Sequence, residues 1–339
     1  MSLMARDAIE TPDAARRQLA LTADRIAELG ARLRASPPSS VITCARGSSD
    51  HAATFGKYVI ETTLGRVVAP VGPSIASVYG RELEGLAGAL FIAVSQSGRS
   101  PDLLRLSASA RARGALVVGL INDESAPLAA ACDVVIPLCA GTERSVAATK
   151  SFLLAGLALA HLAAAWAEDR ALLDQLSRAP ELLAAAGSLA WSPVLEPLAS
   201  ATSTFVTARG VGLGIAYELA LKLKETSGLH AEGFSIAELR HGPIALVTEG
   251  FPVIALAQDD ATRATTLASI AELVRLGATV WCTLDVEGAL RLPAPDAMPA
   301  VLAPLCHAMS FYVAAPGLAA ARGRDADSPR HLRKVTETL

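Results

Sequence analysis

The sequence predicts an α/β protein with two doubly wound parallel sheets, each flanked by helices. In the first half, short apolar runs rich in β-branched residues alternate with helical patterns, which is typical of a doubly wound sheet. Similar segments recur in the second half at a nearly constant offset, which indicates two copies of one unit. A length of 339 residues is enough for two such units.

The elements follow in order along the chain. An amphipathic helix is predicted over residues 11–35, and the Ser36-Pro37-Pro38 break ends it. Strands are then predicted at Val41–Cys44, Arg66–Pro70, Ala89–Val94, Leu116–Ile121 and Asp133–Leu138. A long helix is expected near 150–185, before a break at Ser192-Pro193. We therefore expect an N-terminal helix (1–35), two α/β domains (36–190 and 191–325) and a C-terminal tail (326–339).

Three pairs of segments carry the internal repeat. They are Ala45-Arg46-Gly47 with Ala208-Arg209-Gly210, Ile92–Gln96 with Ile254–Gln258, and Arg113-Gly114-Ala115 with Leu276-Gly277-Ala278. Each match is weak alone, but three matches at one offset of about 163 residues are hard to obtain by chance.

Composition excludes several classes of protein. With 52% hydrophobic and 19% charged residues the chain is too apolar for disorder, and a net charge of −3 gives no footprint for nucleic acid. The most apolar stretch, Phe152–Trp166, is shorter than a membrane span and contains His161, so we expect a buried helix and no membrane partner. The start of the chain has no apolar signal-peptide region, and the five cysteines form no C-x-x-C pair. Both features predict reduced thiols and a cytoplasmic protein.

Lysine is scarce in this chain. Of 30 basic residues 25 are arginine, and the five lysines occupy positions 57, 150, 222, 224 and 334. Where positive charge alone would serve, the chain uses arginine. Each lysine therefore raises the question of why an amine was kept.

Two hydroxyl-rich turns follow predicted strands of the first copy. Ala45-Arg46-Gly47-Ser48-Ser49 comes after one strand and Ser95-Gln96-Ser97-Gly98-Arg99-Ser100 after another, and both open helices. Helix N-termini and serine hydroxyls suit a phosphate monoester at the carboxyl edge of a sheet. Ordinary serine capping is the alternative for either turn taken alone. The second copy has Asp259 and Asp260 in the corresponding place, where phosphate would be repelled.

The sequence gives little support for a bound cofactor or metal. Gly210-Val-Gly212-Leu-Gly214 has Ile215 where a dinucleotide fingerprint needs glycine or alanine, so NAD is not expected. The six histidines include no pair at the spacing of zinc ligands. We expect neither a metal nor a cofactor.

A second group of residues suits proton transfer. Glu218, Lys222 and Glu225 fall on one face of a predicted helix over 215–227, and His241 follows in a Gly-Pro loop. A carboxylate can move a proton between adjacent carbons, an imidazole can open a sugar ring, and an amine can polarise a carbonyl or form an imine. Spacing alone leaves a solvated ladder of surface charges as an equal alternative.

Taken together, these motifs resemble a known family. The stretches concerned are residues 47–49, 95–98, 141–150, 218–232, 238–243 and 327–334. They are similar to the tandem sugar-isomerase (SIS) domains that form the isomerase half of glucosamine-6-phosphate synthase. The resemblance runs from about residue 40 to the end of the chain and implies two tandem SIS domains.

The resemblance also implies roles for single residues. Phosphate binding falls to Ser49, Ser95, Gln96, Ser97 and Ser100, and sugar binding to Gly47, Ser48 and the backbone around Val146. The catalytic residues are Glu225, Lys222, His241 and Lys334. Glu225 moves the proton between C1 and C2, and Lys222 is a neighbouring acid or base. His241 opens the ring and is contributed across the interface of a homodimer, and Lys334 acts on the open-chain sugar.

The sequence departs from the synthase pattern at several positions. Synthases begin with a glutaminase domain, whereas the first predicted strand here starts at residue 41, and Arg46, Arg99 and Ala148 replace family residues. The leading interpretation is a glucosamine-6-phosphate deaminase that releases fructose 6-phosphate and ammonia. An ammonia-using isomerase of the aminotransferase type and a fructosamine- or galactosamine-6-phosphate deglycase or deaminase are alternatives. A phosphosugar sensor is the non-enzyme alternative.

Overall fold

The structure, a computed structural model, describes residues 1–334 and divides into two compact units. The first-sheet unit comprises residues 13–143 and 150–180 with the described residues from 333 onward. The second-sheet unit comprises residues 1–12, 144–149 and 181–332. Helix α1 (Leu3–Ile9) therefore belongs to the second-sheet unit. The last part of the predicted tail, 335–339, lies outside the described residues.

The first-sheet unit contains all five strands predicted for the first half. Its helices are α2 (Thr11–Ala35), α3 (Ser48–Leu64), α4 (Ser74–Ser77), α5 (Pro101–Ala112), α6 (Pro127–Ala130), α7 (Lys150–Ala167) and α8 (Arg170–Ser177). Its strands are β1 (Val41–Cys44), β2 (Val68–Pro70), β3 (Leu90–Ser95), β4 (Leu116–Ile121) and β5 (Val134–Pro137). They form a parallel sheet in the order β2-β1-β3-β4-β5. Every residue of β3 is buried, as expected for a parallel strand covered on both faces.

The second-sheet unit repeats this topology. Its strands are β6 (Ser203–Ala208), β7 (His230–Ser235), β8 (Pro252–Ala255), β9 (Thr279–Cys282) and β10 (Leu290–Arg291), all parallel in the order β10-β9-β8-β6-β7. Its helices after α1 are α9 (Ala179–Gly187), α10 (Ser192–Leu195), α11 (Leu213–Ser227), α12 (Arg263–Arg275) and α13 (Ala303–Ala321). Because the strand order matches position by position, the repeat predicted from three short segments is confirmed.

The long helix expected near 150–185 is three helices instead. Glu168 follows α7 with a φ of 54°, a left-handed conformation that a continuous helix cannot contain. The Asp169 side chain then accepts the backbone N–H of Leu172 at 2.9 Å and so caps the start of α8. A short polar link thus replaces the expected continuous element.

The apolar helix α7 is part of a protein core. In the described chain it is the helix that is long and apolar enough to span a membrane, and 83% of it is buried inside the protein. It packs against α3, where a Cβ at Gly56 would lie 2.6 Å from the Leu159 side chain. The cysteines are free, and burial raises the pKa of Cys306 to about 12, which keeps that thiol protonated at neutral pH.

Candidate functional site

The two serine-rich turns lie at one edge of the first sheet. The turn after β1 leads into α3, which begins at Ser48, and the turn after β3 leads into α5, whose N-cap is Ser100. Strands β1 and β3 are neighbours, with Cys44 opposite Ala93. Their carboxyl ends therefore meet where the strand order reverses, which is where open α/β sheets bind ligands. The predicted phosphate residues Ser49, Ser95, Gln96, Ser97 and Ser100 all belong to these turns.

The second turn depends on a glycine. Gly98 has a φ of +62°, and a Cβ there would lie 2.7 Å from the Cβ of Ala126. Its N–H donates to Ser95 Oγ at 3.0 Å, which closes the turn. Gln96 and Ser97 are partly exposed in this turn, and Ser97 Oγ accepts the backbone N–H of Arg99 at 3.4 Å.

An ion pair joins the two turns. Arg46, which precedes Gly47, donates from Nε and Nη2 to Asp102 Oδ2 at 2.9 and 2.6 Å. Asp102 lies in the first turn of α5, and its side chain is fully buried. The arginine that departs from the synthase pattern therefore links the two serine-rich turns. The other departure, Arg99, pairs with Asp123 at 2.8 Å.

The corresponding edge of the second sheet is filled by its own side chains. Gln258 is buried and donates from Nε2 to Arg209 O and to Asp260 Oδ2, both at 2.9 Å. Gly212 lies against it, since a Cβ there would be 3.0 Å from Gln258 Oε1. A phosphate monoester at this edge would meet the Asp260 carboxylate, which repels it, and not a set of hydrogen-bond donors. The second copy therefore lacks the serine-rich turns of the first copy, and phosphate binding by the first copy stays a prediction.

The charged face of α11 is buried, so the surface-ladder interpretation is wrong. Lys222 has 1% of its side chain exposed and Glu218 none. Lys222 Nζ lies 2.5 Å from Glu225 Oε2 and 3.4 Å from Glu218 Oε1. Burial acts to lower the pKa of Lys222, but the two carboxylates outweigh it and hold that pKa above its ordinary value. The amine is therefore an ammonium at neutral pH.

Tyr312 is a further member of this cluster that the sequence reasoning missed. Its hydroxyl donates to Glu218 Oε1 at 2.9 Å from helix α13, and the ring is fully buried. No local pattern could have revealed it, because 94 residues separate the two partners. The cluster is thus a chain of contacts from Tyr312 through Glu218 and Lys222 to Glu225.

Glu225 is the end of this chain that meets solvent. A pocket of about 410 Å³ opens beside it, with walls from the end of α11 and from the segment after α13, including Lys224, Arg324 and Arg330. The Glu225 side chain is 19% exposed. A carboxylate so placed can take up and return a proton while its counter-ion stays inside the protein.

Other predicted residues lie elsewhere. Lys334 belongs to the first-sheet unit, where Nζ donates to the buried Glu143 Oε2 at 2.7 Å. Val146 is half-buried in a segment with no regular structure. His241 ends a short 3₁₀ helix, is exposed, and is not among the residues that line the pocket beside Glu225. Among residues 1–334 there is no group of three or more His, Cys, Asp or Glu side chains that could hold a metal ion.

Comparison with known proteins decides the family. Residues 36–165 and 197–287 match the SIS domain family. The chain belongs to the SIS domain family. This confirms both the resemblance drawn from the motifs and the predicted fold class.

One curated relative and two solved structures illustrate the likeness. The chain is 33% identical over 317 residues to the glutamine–fructose-6-phosphate aminotransferase (isomerizing) of Bradyrhizobium diazoefficiens, covering 87% of this chain and 51% of that protein. A chain from Silicibacter pomeroyi DSS-3, provisionally assigned as a phosphosugar isomerase, is 42% identical with a TM-score of 0.91, covering 96% of this chain and all of that one. The C-terminal domain of glucosamine-fructose-6-phosphate aminotransferase from Francisella tularensis has a TM-score of 0.87 over 97% of this SIS protein and 98% of that chain, and at 24% identity it shows the fold alone. The chain spans about half the length of the curated relatives that it matches.

Proposed function

We propose that this SIS protein is an amino-sugar phosphate isomerase that converts glucosamine 6-phosphate and water into fructose 6-phosphate and ammonia. The observation that carries the proposal is the position of Glu225. Its carboxylate reaches a pocket, while the buried ammonium of Lys222 holds one carboxylate oxygen at 2.5 Å. A held carboxylate with access to a ligand is the group that a shift of a proton between two adjacent carbons requires.

The phosphate end of the substrate is assigned to the first copy. Ser49, Ser95, Gln96, Ser97 and Ser100 supply hydroxyl and amide donors at two helix N-termini, and phosphate favours such positions. The Arg46–Asp102 pair keeps these turns together. Gly47, Ser48 and the backbone around Val146 are proposed to contact the sugar.

The proposed reaction begins when His241 opens the pyranose ring. Glu225 then takes the C2 proton; the electron pair of that C–H bond forms a C1–C2 double bond, and the C1 oxygen gains a proton. Glu225 returns its proton to C1 while the nitrogen lone pair forms a C2–N double bond, and the nitrogen releases one proton in place of the one that the C1 oxygen gained, which leaves an imine at C2. Water adds to the imine carbon and ammonia leaves, so one water is consumed for each ammonia released. Lys222 holds the Glu225 carboxylate in place through its ion pair, and Lys334 is proposed to assist the open-chain sugar.

The proposal extends to assembly and compartment. A homodimer is proposed in which His241 acts in the partner's site, which accords with the exposure of His241. The chain is proposed to act in the cytoplasm, which accords with its free cysteines.

A second candidate is the isomerase of a glutamine-dependent aminotransferase. The 33% identity to curated aminotransferases favours it, and the same Glu225 chemistry would then run from fructose 6-phosphate and ammonia toward the amino sugar. Deaminase activity on galactosamine 6-phosphate would use the same residues and differ in the contact to the C4 hydroxyl. Deglycase activity on fructosamine 6-phosphate would move the proton from C1 to C2, because its nitrogen is on C1, and would hydrolyse an imine at C1.

Product analysis separates these candidates. Purified protein is incubated with glucosamine 6-phosphate, galactosamine 6-phosphate and fructosamine 6-phosphate, and separately with fructose 6-phosphate plus ammonium, with Glu225→Gln as the control. We expect ammonia and fructose 6-phosphate in equal amounts from glucosamine 6-phosphate, and a rate about 10² to 10⁴ lower for the variant. No ammonia above the control contradicts the deaminase assignment. Formation of an amino-sugar phosphate from fructose 6-phosphate plus ammonium, without ammonia release from any of the three amino sugars, supports the second candidate.

A further inference from the structure

Helix α1 is held at its start by the first residues of the C-terminal tail. The amide groups of Leu3 and Met4 donate to the two carboxylate oxygens of Asp327, at 2.6 and 2.9 Å. Asp327 lies seven residues before Lys334 in the sequence. A carboxylate at the N-terminus of a helix pairs with amides that have no partner inside the helix, so this contact stabilises both segments.

The other end of α1 holds a different segment. Asp7 Oδ2 accepts the backbone N–H groups of Arg144 and Ser145, both at 2.8 Å. These residues directly precede Val146, which the proposed function assigns to sugar binding. Residues 141–149 form neither helix nor strand, so the position of this segment depends on contacts of this kind.

Helix formation by itself does not explain why an aspartate occupies position 7. The residue is 3% exposed and lies in the last turn of α1, where the helix dipole disfavours a negative charge. A buried carboxylate is costly unless hydrogen bonds compensate it. The fully buried Met4 and Ala8 of the same helix are apolar, as packing alone would favour, whereas Asp7 is charged. The amides at 144 and 145 give the Asp7 carboxylate two hydrogen bonds that offset this cost.

We propose that α1 is a positioning element that ties the entry of the tail to the sugar-binding segment. Asp327 and Asp7 are its two anchors, and both act through other residues and do not touch the substrate. The contacts all lie within the second-sheet unit. The proposal rests on the proposed function, because Val146 and Lys334 owe their assigned roles to it.

Variants of the intact chain test the Asp7 anchor. Asp7→Ala removes both acceptor contacts, and Asp7→Asn keeps one oxygen that can accept them. Asp13→Ala is the matched control, since its side chain is 80% exposed at the start of α2. Hydrogen exchange at the amides of residues 144 and 145 reports the anchor directly, and KM and kcat for glucosamine 6-phosphate report its effect on the site.

We expect Asp7→Ala to exchange these amides faster and to raise KM about tenfold with kcat within about threefold, as for loss of ground-state binding. Asp7→Asn recovers most of both effects, and Asp13→Ala changes neither. Partial unfolding would lower kcat in proportion and leave KM unchanged. Unchanged exchange in Asp7→Ala, or faster exchange with an unchanged KM, overturns the proposal.

The Asp327 anchor has its own readout. Asp327→Ala and Asp327→Asn are compared with the unaltered protein by trypsin cleavage after the exposed Arg330. Faster cleavage in Asp327→Ala, with partial recovery in Asp327→Asn, is expected, and equal rates overturn this half of the proposal. If the unaltered protein turns over no amino-sugar phosphate, the proposed function fails, while exchange and cleavage still decide whether α1 holds the two segments.

Discussion

Replacing Lys222 with methionine tests the buried cluster on α11. Methionine has a similar length and no charge, so the substitution removes the ammonium and leaves most of the packing. The carboxylate of Glu218, with no exposed side-chain surface, then keeps the Tyr312 hydroxyl at 2.9 Å and loses the ammonium at 3.4 Å. Breaking a buried ion pair by removing one partner costs about 3 to 5 kcal/mol, and we expect Lys222→Met to lose that much free energy of unfolding.

A second substitution separates charge from packing. In the double variant Lys222→Met with Glu218→Gln the uncompensated charge is gone, while the amide can still accept the Tyr312 hydroxyl. We expect the double variant to recover about 2 kcal/mol, because leaving a neutral polar group underpaired costs less than leaving a charge. Lys224→Met is the matched control: it is two residues away on the exposed side of the same helix and should change stability by less than about 0.5 kcal/mol.

Urea unfolding at pH 7 followed by circular dichroism measures all four proteins. The expected order of stability is unaltered protein and Lys224→Met, then the double variant, then Lys222→Met. A loss below about 1 kcal/mol in Lys222→Met, or a double variant no more stable than the single one, refutes the assignment of Lys222 as the counter-ion of a buried carboxylate.

Three further perturbations have defined outcomes. His307 is fully buried, neither ring nitrogen has a partner among the described residues, and burial, helped by Arg291, lowers its pKa to about 3. The unfolded chain protonates this imidazole near pH 6.5 and the folded protein does not, so stability falls by about 1.4 kcal/mol per pH unit as the pH drops from 6.5 toward 3. In urea unfolding, His307→Leu should therefore remove about 2 kcal/mol of the stability loss between pH 7 and pH 5. Gly98→Ala should lose more free energy of unfolding than Gly85→Ala. Both glycines have a positive φ, so strain costs about 1 kcal/mol at each, but of the two only Gly98 has a neighbour within 4 Å of the added Cβ, and this clash adds to the loss. Equal losses in the two variants contradict this. Ser49→Ala should raise KM for glucosamine 6-phosphate about tenfold in steady-state assays. Ser40→Ala, at the opposite end of β1, should leave KM unchanged. The same KM in both variants contradicts the phosphate assignment.

Much of the fold could be predicted because its signals are local. Parallel strands buried on both faces read as short apolar runs, and β1, for example, has the predicted bounds of Val41–Cys44. The rule that ligands bind at the carboxyl ends of strands then directed attention to the turns at 45–49 and 95–100. The strand order places both turns at the same edge, and no sequence pattern alone could establish that.

The parts that the sequence did not predict are long-range polar contacts. Arg46 and Asp102 are 56 residues apart, and Asp7 and Arg144 are 137 residues apart. Each pairing depends on tertiary structure, because any exposed partner would satisfy the local rules equally well. The burial of Glu218 and Lys222 belongs to the same class, since a face of alternating charges on a helix is usually solvated.

The central claim, that Glu225 moves a proton between C2 and C1 of an amino-sugar phosphate, is tested most directly by proton NMR in D₂O. The C2–H signal of glucosamine 6-phosphate is followed with the unaltered protein and with Glu225→Gln. Loss of that signal with the unaltered protein, at a rate at least about 10²-fold above that of the variant, is the expected result. A signal that persists with the unaltered protein, or that disappears equally fast with both, contradicts the claim.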